Sequence, residues 1–255
     1  MSNIHIVIPA RFGSSRLPGK LMLDLVGKPV ISHVVERALT LTDSVYVATD
    51  NQEIFDVASQ AGAIAVMTSE KHNSGTDRLA EAATKLSFAD DDIVVNLQGD
   101  EPLMPIELLR QVSTLLMGHD NAGIATLMQR IKYVKDFINP NVVKVALGEK
   151  CKALYFSRAP IPYPRDEFSS EMVDLPQGDY FRHIGLYAYR VKTLKAITQL
   201  TEHPLESLEK LEQLRPLAHG IEIVIDEASE EPEHGIDTLE DLERVRHVLS
   251  DKQMY

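Results

Sequence analysis

Ile4-His5-Ile6-Val7-Ile8-Pro9-Ala10-Arg11-Phe12-Gly13-Ser14-Ser15-Arg16-Leu17-Pro18-Gly19-Lys20 opens on an apolar run of strand length and passes straight into a loop of glycines and cations. Gly13 and Gly19 let the backbone turn tightly and bring its N–H groups close to anionic oxygens, while Arg11, Arg16 and Lys20 supply charge that backbone dipoles alone lack. Such a loop is suited to holding a triphosphate. A surface loop whose cations are merely solvated has the same composition, and the rest of the chain has to decide between the two. Spacing removes two familiar versions of the idea. The P-loop pattern G-x-x-x-x-G-K-[ST] is one residue shorter between its glycines and ends in Ser or Thr, whereas Leu21 follows Lys20 here. The dinucleotide pattern G-x-G-x-x-G is absent, and Pro18 stands where a phosphate-capping helix would begin.

Outward from this stretch, short apolar strands alternate with amphipathic helices, which predicts a mostly parallel sheet covered on both faces. Strands are expected at Ile4–Ile8, Val45–Ala48, Ile64–Met67 and Ile93–Leu97, with helices at Val30–Leu39, Glu53–Ala61, Arg78–Leu86 and Pro105–Leu116. This first half has the order of a nucleotide-binding layer. Beyond Asn121, strands are expected at Ile124–Leu127, Val142–Leu147, Ala153–Phe156, Ile184–Tyr189 and Ile221–Ile225, and helices near Thr193–Leu200, Leu205–Leu214 and Leu239–Leu249. No Ser/Gly-rich or Pro-rich linker, internal repeat or low-complexity segment divides the chain, so the second half reads as an elaboration of the same sheet.

Composition bounds the function. A chain of 255 residues with 44% hydrophobic content can bury a substantial core. Its single cysteine, Cys151, excludes an internal disulfide framework, and the opening residues show no charged, long apolar leader, so a cytoplasmic setting is expected. No apolar run approaches the roughly 20 residues of a membrane span. The net charge of −12 argues against nucleic acid as a partner, because a phosphate-tracking surface is rich in Lys and Arg. Anionic substrates must therefore meet local clusters of cations.

Two carboxylates fall at informative places. Ile93-Val94-Val95-Asn96-Leu97-Gln98-Gly99-Asp100-Glu101-Pro102 is a buried-type strand ending in a glycine and two acids, and ligands of open α/β sheets gather beyond strand carboxyl ends. Asp100 stands where a magnesium ligand is useful, since this hard cation takes carboxylate oxygen and shares itself with substrate phosphates. Opening a turn or capping a helix is the competing role. In Gly235-Ile236-Asp237-Thr238-Leu239-Glu240-Asp241-Leu242, Asp237 or Thr238 can cap the last helix, with Glu240 or Asp241 completing the cap. Asp237 could equally share a cation with Asp100, at a distance the sequence leaves open.

His72-Asn73-Ser74-Gly75-Thr76-Asp77-Arg78 begins a helix and offers hydroxyls and an Arg to an anion or a base, although helix capping explains Ser74, Thr76 and Asp77 as well. The amide of Gln98 both donates and accepts, as a pyrimidine edge requires. Ser157–Arg165, Arg182–Arg190 and Leu211–Arg215 mix Arg with His, Tyr, Glu and Gln, a set suited to an acidic sugar, though surface arginines and satisfied half-buried rings are the simpler account of each alone.

Seven segments in order, PARFGSSRLPGK, HNSGTDR, NLQGDEPL, YFSRAPIP, RHIGLYAYR, LEQLR and GIDTLEDL, resemble those of the bacterial 3-deoxy-manno-octulosonate cytidylyltransferases, or CMP-Kdo synthetases. The resemblance runs from near residue 4 to near residue 249. It implies a nucleotide-diphospho-sugar transferase-like α/β fold in a single domain over 1–255. In that domain about 1–120 forms the nucleotide-binding half, and about 121–255 the sugar-binding and dimerisation half that returns Asp237 to the metal site. It implies a Mg²⁺-dependent homodimer joining CTP to an acidic eight-carbon sugar, without membrane insertion, and leaves an 8-amino analogue or another sugar acid as the alternative substrate. Carried over residue by residue, it implies that Ala10, Arg11, Ser74, Arg78 and Gln98 bind CTP, that Arg16 and Lys20 face its phosphates, and that Asp100 and Asp237 hold Mg²⁺. Arg158, Arg165, His183, Tyr187, Glu212 and Gln213 would surround the sugar. Leu21-Met22 and Leu239 depart from prolines common in the family at the loop and the last helix, positions that govern stiffness rather than ligands.

Overall fold

The structure, a computed structural model, describes residues 2–13, 17–72, 74–169 and 172–253. In the first half, β1 (Ile4–Ala10) leads through a single-turn 3₁₀ helix (Lys20–Met22) and a small hairpin, β2 (Asp24–Leu25) and β3 (Lys28–Pro29), into α1 (Val30–Leu39). Then come β4 (Val45–Thr49), α2 (Gln52–Gln60), β5 (Ile64–Met67), α3 (Gly75–Lys85), β6 (Ile93–Asn96) and α4 (Ile106–Met117). The second half contains β7 (Ile124–Arg130), α5 (Val134–Ile138), β8 (Lys144–Leu147), β9 (Ala153–Ser157) and β10 (Phe181–Arg190). It ends with α6 (Val191–Ile197), α7 (Pro204–Glu209), α8 (Leu214–Ala218), β11 (Ile223–Glu227) and α9 (Leu239–Gln253). No described helix is long and apolar enough to cross a membrane.

Strands from both halves share one nine-stranded sheet in the order β11-β7-β10-β6-β1-β4-β5, with β8 and β9 attached to β10. Its pairs are parallel from β6 through β5 and between β11 and β7, and β10 runs antiparallel to both its neighbours on this path. The alternation of β1 explains why helices cover both faces. Ile6 and Ile8 point to the side of α1, α2 and α4, while Val7 points to the side of α3 and α6. All three side chains are fully buried, as expected of a strand enclosed on both sides.

The helix expected over Leu205–Leu214 is broken. Lys210 takes a left-handed conformation, φ 53°, and ends α7; α8 starts again at Leu214. A non-glycine residue at such a cap leaves no signal in composition. The buried carboxylate of Glu206 spans the break and holds both Nε and Nη2 of Arg215, at 2.7 and 2.6 Å. The turn carrying Glu212 and Gln213 is thereby fixed.

The last helix is anchored by a separate apolar cluster in which Ile236, Leu242 and Val245 pack with Leu25, Val30 and Leu103. Ile236 is fully buried, and its N–H donates to the carbonyl of Asp100 at 2.8 Å. Ile236→Ala is expected to lower the unfolding free energy by about 2–5 kcal/mol. A lower urea midpoint at unchanged m-value checks this.

Candidate active site

β1 connects through α1 to β4 on one side, whereas β6, which follows β5 and α3, lies on its other side. The carboxyl ends of β1 and β6 therefore flank the topological switch point, where open α/β sheets leave a crevice. Arg11 and Gly13 follow β1 here, and Gln98, Gly99 and Asp100 follow β6. With Lys20 they border a cavity of about 390 Å³, lined also by Ser74, Arg78, Glu212 and Asp237. Gly99 makes the approach possible, because a Cβ there would lie 3.3 Å from both the carbonyl of Pro9 and a methyl of Leu21.

The ammonium of Lys20 is the electrostatic centre of this crevice. It hydrogen-bonds to Asp100 Oδ2, to Asp237 Oδ1 at 3.0 Å and to the carbonyl of Ile236 at 3.0 Å. Burial disfavours its charge, but the hydrogen bonds and charges of Asp100 and Asp237 outweigh that and hold its pKa above the ordinary lysine value. Two carboxylates far apart in the chain thus meet at one cation. The helix cap is supplied elsewhere: Thr238 Oγ1 accepts from Asp241 N–H at 3.2 Å, and Asp241 Oδ2 accepts from Thr238 N–H at 3.0 Å. Asp100 does not cap α4 either, since that helix begins at Pro105 without a side-chain cap.

Glu101 completes the acidic group differently. Burial first, then the charges of Asp100 and Asp237, push its carboxyl up to about 8. Glu101 is thus kept neutral at pH 7, and the node sets the side chains of Asp100 and Asp237 against the one ammonium of Lys20. Among the described residues no three His, Cys, Asp or Glu side chains form a metal cage. A pair of aspartates matches magnesium, which binds through one or two carboxylates and takes its remaining oxygens from water and substrate phosphates.

The other expected nucleotide residues divide. Arg11 is exposed at the cavity, and its guanidinium makes no hydrogen bond among the described residues. Gln98 borders both this cavity and a second one. Ser74 caps α3, accepting from Asp77 N–H at 3.1 Å, while also lining both cavities. Arg78 is buried and committed to Thr68 and to Asp50, the latter at 2.6 Å. Ala10 is fully buried in the core at the end of β1. Arg16 lies outside the described residues.

On the far side of Gln98, the second cavity, about 340 Å³, is lined by Tyr187, Tyr189, Glu212 and Gln213. Thr76 Oγ1 donates to Glu212 at 3.1 Å. Burial raises the pKa of Glu212 and raises that of Tyr187 well above the ordinary phenol value, so Tyr187 remains a neutral phenol. His183 borders a third cavity, also about 340 Å³, with its ring 5.3 Å from that of Tyr187. Burial lowers its pKa to about 3, keeping the imidazole neutral. The two arginines of the expected sugar set are not brought to these cavities. Arg158 donates to the carbonyls of Glu209, at 2.7 Å, and Pro140, at 2.9 Å, while Arg165 is 90% exposed beside Asp166.

Residues the sequence reading passed over tie the site together. Asp50 accepts from Phe12 N–H at 3.3 Å while pairing with Arg78, so one carboxylate joins the cationic loop to α3. It follows the last residue of β4, and the strand-end rule that singled out Asp100 applies to it equally. Asn96 lines the second cavity with its buried Oδ1 unpartnered among the described residues.

This combination of a doubly covered, mainly parallel sheet and a cation-carboxylate node at its switch point defines the class as an α/β nucleotidyltransferase. The chain belongs to the cytidylyltransferase family, whose model matches residues 5–224. It is 50% identical over 251 residues to the 3-deoxy-manno-octulosonate cytidylyltransferase of Francisella tularensis subsp. novicida, covering 98% of this chain and 100% of that one. A relative of the same name from Hahella chejuensis is 50% identical over 252 residues, covering 98% and 99%. A solved CMP:2-keto-3-deoxy-manno-octonic acid synthetase, complexed with CTP, superposes with a TM-score of 0.86 at 43% identity, covering 98% of this chain and 100% of that one.

The raised pKa of Glu101 carries a stability consequence. A carboxyl whose folded pKa lies above its unfolded value stabilises the fold fully below about 4.5, and this contribution is lost as pH rises through about 8. In EDTA, Glu101→Gln is expected to flatten the decline of stability across that window. Urea titrations at pH 5 to 9 check the difference.

Proposed function

We propose that the protein activates 3-deoxy-D-manno-octulosonate (Kdo) with CTP, giving CMP-Kdo and pyrophosphate for lipopolysaccharide biosynthesis. The anomeric hydroxyl of the sugar attacks the α-phosphorus, the bond to the β-phosphate oxygen breaks, and the hydroxyl proton passes to solvent or buffer. The observation that carries this reading is the meeting of Lys20, Asp100 and Asp237 at the crevice beyond β1 and β6. It is supported by the full-length likeness to proteins named for that reaction.

The chain's own residues do most of this by placement and charge. Arg11 and Lys20 face the phosphates and offset the charge that develops on the departing pyrophosphate. Gln98, between the first two cavities, offers its amide to the cytosine edge, and Ser74 lies beside it at the start of α3. The Arg78–Asp50 pair acts one step back, bracing the loop through Phe12 N–H. Tyr187, Glu212 and Gln213 line the sugar side. Asp100 and Asp237 would hold magnesium, which when bound supplies charge neutralisation at the phosphates and acidifies the attacking hydroxyl.

The enzyme works in the cytoplasm as a homodimer and takes no nucleic acid as partner. Exposed apolar side chains around the small cluster of Phe137 and Tyr180, among them Tyr133 and Ile138 at 60% and 50% exposure, suit a second copy. An exposed free Cys151 suits a reducing compartment.

The test is pyrophosphate release with CTP and UTP against Kdo, 8-amino-Kdo and sialic acid. Fastest release is expected with CTP and Kdo; no release with any sugar acid contradicts the proposal. Asp100→Asn and Asp237→Asn are each expected to lose about a thousandfold or more in kcat. Their circular dichroism should match that of the parent, and near-normal turnover by either removes its metal role.

A further inference from the structure

β10 carries His183 and Tyr187 to the sugar-side cavities, and its register with β7 breaks between them. Ile184 pairs with Leu127, and the next pair is Tyr187 with Thr126, so β10 has extra residues at this point. A bulge of this kind re-aims side chains and takes carbonyls out of the regular ladder. The carbonyls of Ile184 and Leu186 both turn onto the hydroxyl of Thr126, at 3.0 and 2.8 Å. Thr126 is fully buried, and His183 Nε2 is also 2.9 Å from its Oγ1.

One proton decides the arrangement. A hydroxyl has a single hydrogen and two lone pairs, whereas a carbonyl oxygen only accepts. Were the hydroxyl to donate to His183, two carbonyl oxygens would face Oγ1 with no hydrogen between, a costly defect in a buried place. The hydroxyl therefore donates towards the carbonyls and accepts from His183. Nε2 carries the imidazole hydrogen, and Nδ1 is left with its lone pair. Nδ1 makes no hydrogen bond among the described residues, and the ring borders the third cavity beside Gly185 and Glu101. Phe156 and Tyr187, with ring centroids at 4.9 and 5.3 Å, restrict the imidazole from turning over.

We propose that Thr126 is a positioning residue that locks His183 in the Nε2–H tautomer, so that Nδ1 offers a neutral acceptor to a hydroxyl of the bound sugar acid. This rests on the reading that these cavities receive a sugar acid. It gives His183 a recognition role different from pairing with the sugar's carboxylate, which falls to cationic side chains.

The test is a long-range ¹H–¹⁵N correlation spectrum of the free protein with ¹⁵N-labelled histidine, in which the His183 signals are identified by their loss in His183→Asn. The parent is expected to show a protonated Nε2 and an unprotonated Nδ1, Thr126→Ser to keep that pattern, and Thr126→Val to lose it. In kinetics, Thr126→Val is expected to raise KM for the sugar acid roughly tenfold and to leave KM for CTP within about twofold, with Thr126→Ser close to the parent. A parent spectrum with the hydrogen on Nδ1, or on both nitrogens, overturns the lock, and this holds even where the valine variant fails to fold. A valine variant with unchanged tautomer and unchanged sugar KM overturns it too. The expected tautomer in a protein that turns over no sugar acid leaves the lock standing and overturns the substrate reading together with the recognition role, whereas a tautomer lost in Thr126→Val at unchanged sugar KM overturns the recognition role alone.

Discussion

The ammonium of Lys20 joins three pieces of chain that the covalent order keeps far apart: the loop after β1, the turn after β6 and the approach to α9. It meets one oxygen of Asp100, one of Asp237 and the carbonyl of Ile236. The apolar packing of Ile236 brings the last helix close, and the ammonium fixes the final geometry. Removing such a cation would leave two partly buried carboxylates facing each other, a repulsion that a low-dielectric crevice strengthens. On the function proposed above, the contacts that close the fold also preorganise the site.

Around that node the protein separates charged from neutral groups. Glu101, next in the chain to Asp100, is held in its protonated form by burial and by its acidic neighbours. His183 is neutral through burial, and the phenol of Tyr187 remains protonated. Arg11, Lys20, Arg78, Asp100 and Asp237 thus gather in the β1–β6 crevice, while the second cavity presents the phenol of Tyr187 and the amides of Gln98 and Gln213, with Glu212 bordering both. In a chain of net charge −12, the cations Arg11, Lys20 and Arg78 are gathered at one crevice together with Asp100 and Asp237.

Much of this was legible in the sequence because strand hydrophobicity and loop chemistry are local properties. Ile4–Ile8 and Ile93–Leu97 read as strands from their apolar runs, and the strand-end rule led directly to Asp100. The small hairpin at Val26-Gly27 was not legible, because both residues take positive φ, 53° and 82°, and valine is an unusual occupant of such a turn. The break at Lys210 escaped for a similar reason. Asp237 left a choice between cap and ligand; the cap falls to Thr238 and Asp241, while Asp237 meets Lys20, a contact that depends on the tertiary placement of Ile236. Thr126 gave no signal, since it acts through partners remote in sequence, whereas Asp50 follows a strand end and Asn96 stands within the Ile93–Pro102 run, places the strand-end rule points to without choosing among residues. The arginines show the converse: Arg158 and Arg165 are recognisable by motif, yet one is spent on backbone carbonyls and the other stands in solvent.

The most direct measurement is a crystal structure of the protein with magnesium, a non-hydrolysable CTP analogue and the sugar acid. The expected result places the triphosphate between Arg11 and Lys20, with Asp100 and Asp237 turned to the metal, the base against Gln98 and the sugar along Tyr187. A nucleotide bound away from the β1–β6 crevice, with the Lys20, Asp100 and Asp237 contacts unaltered, would contradict it.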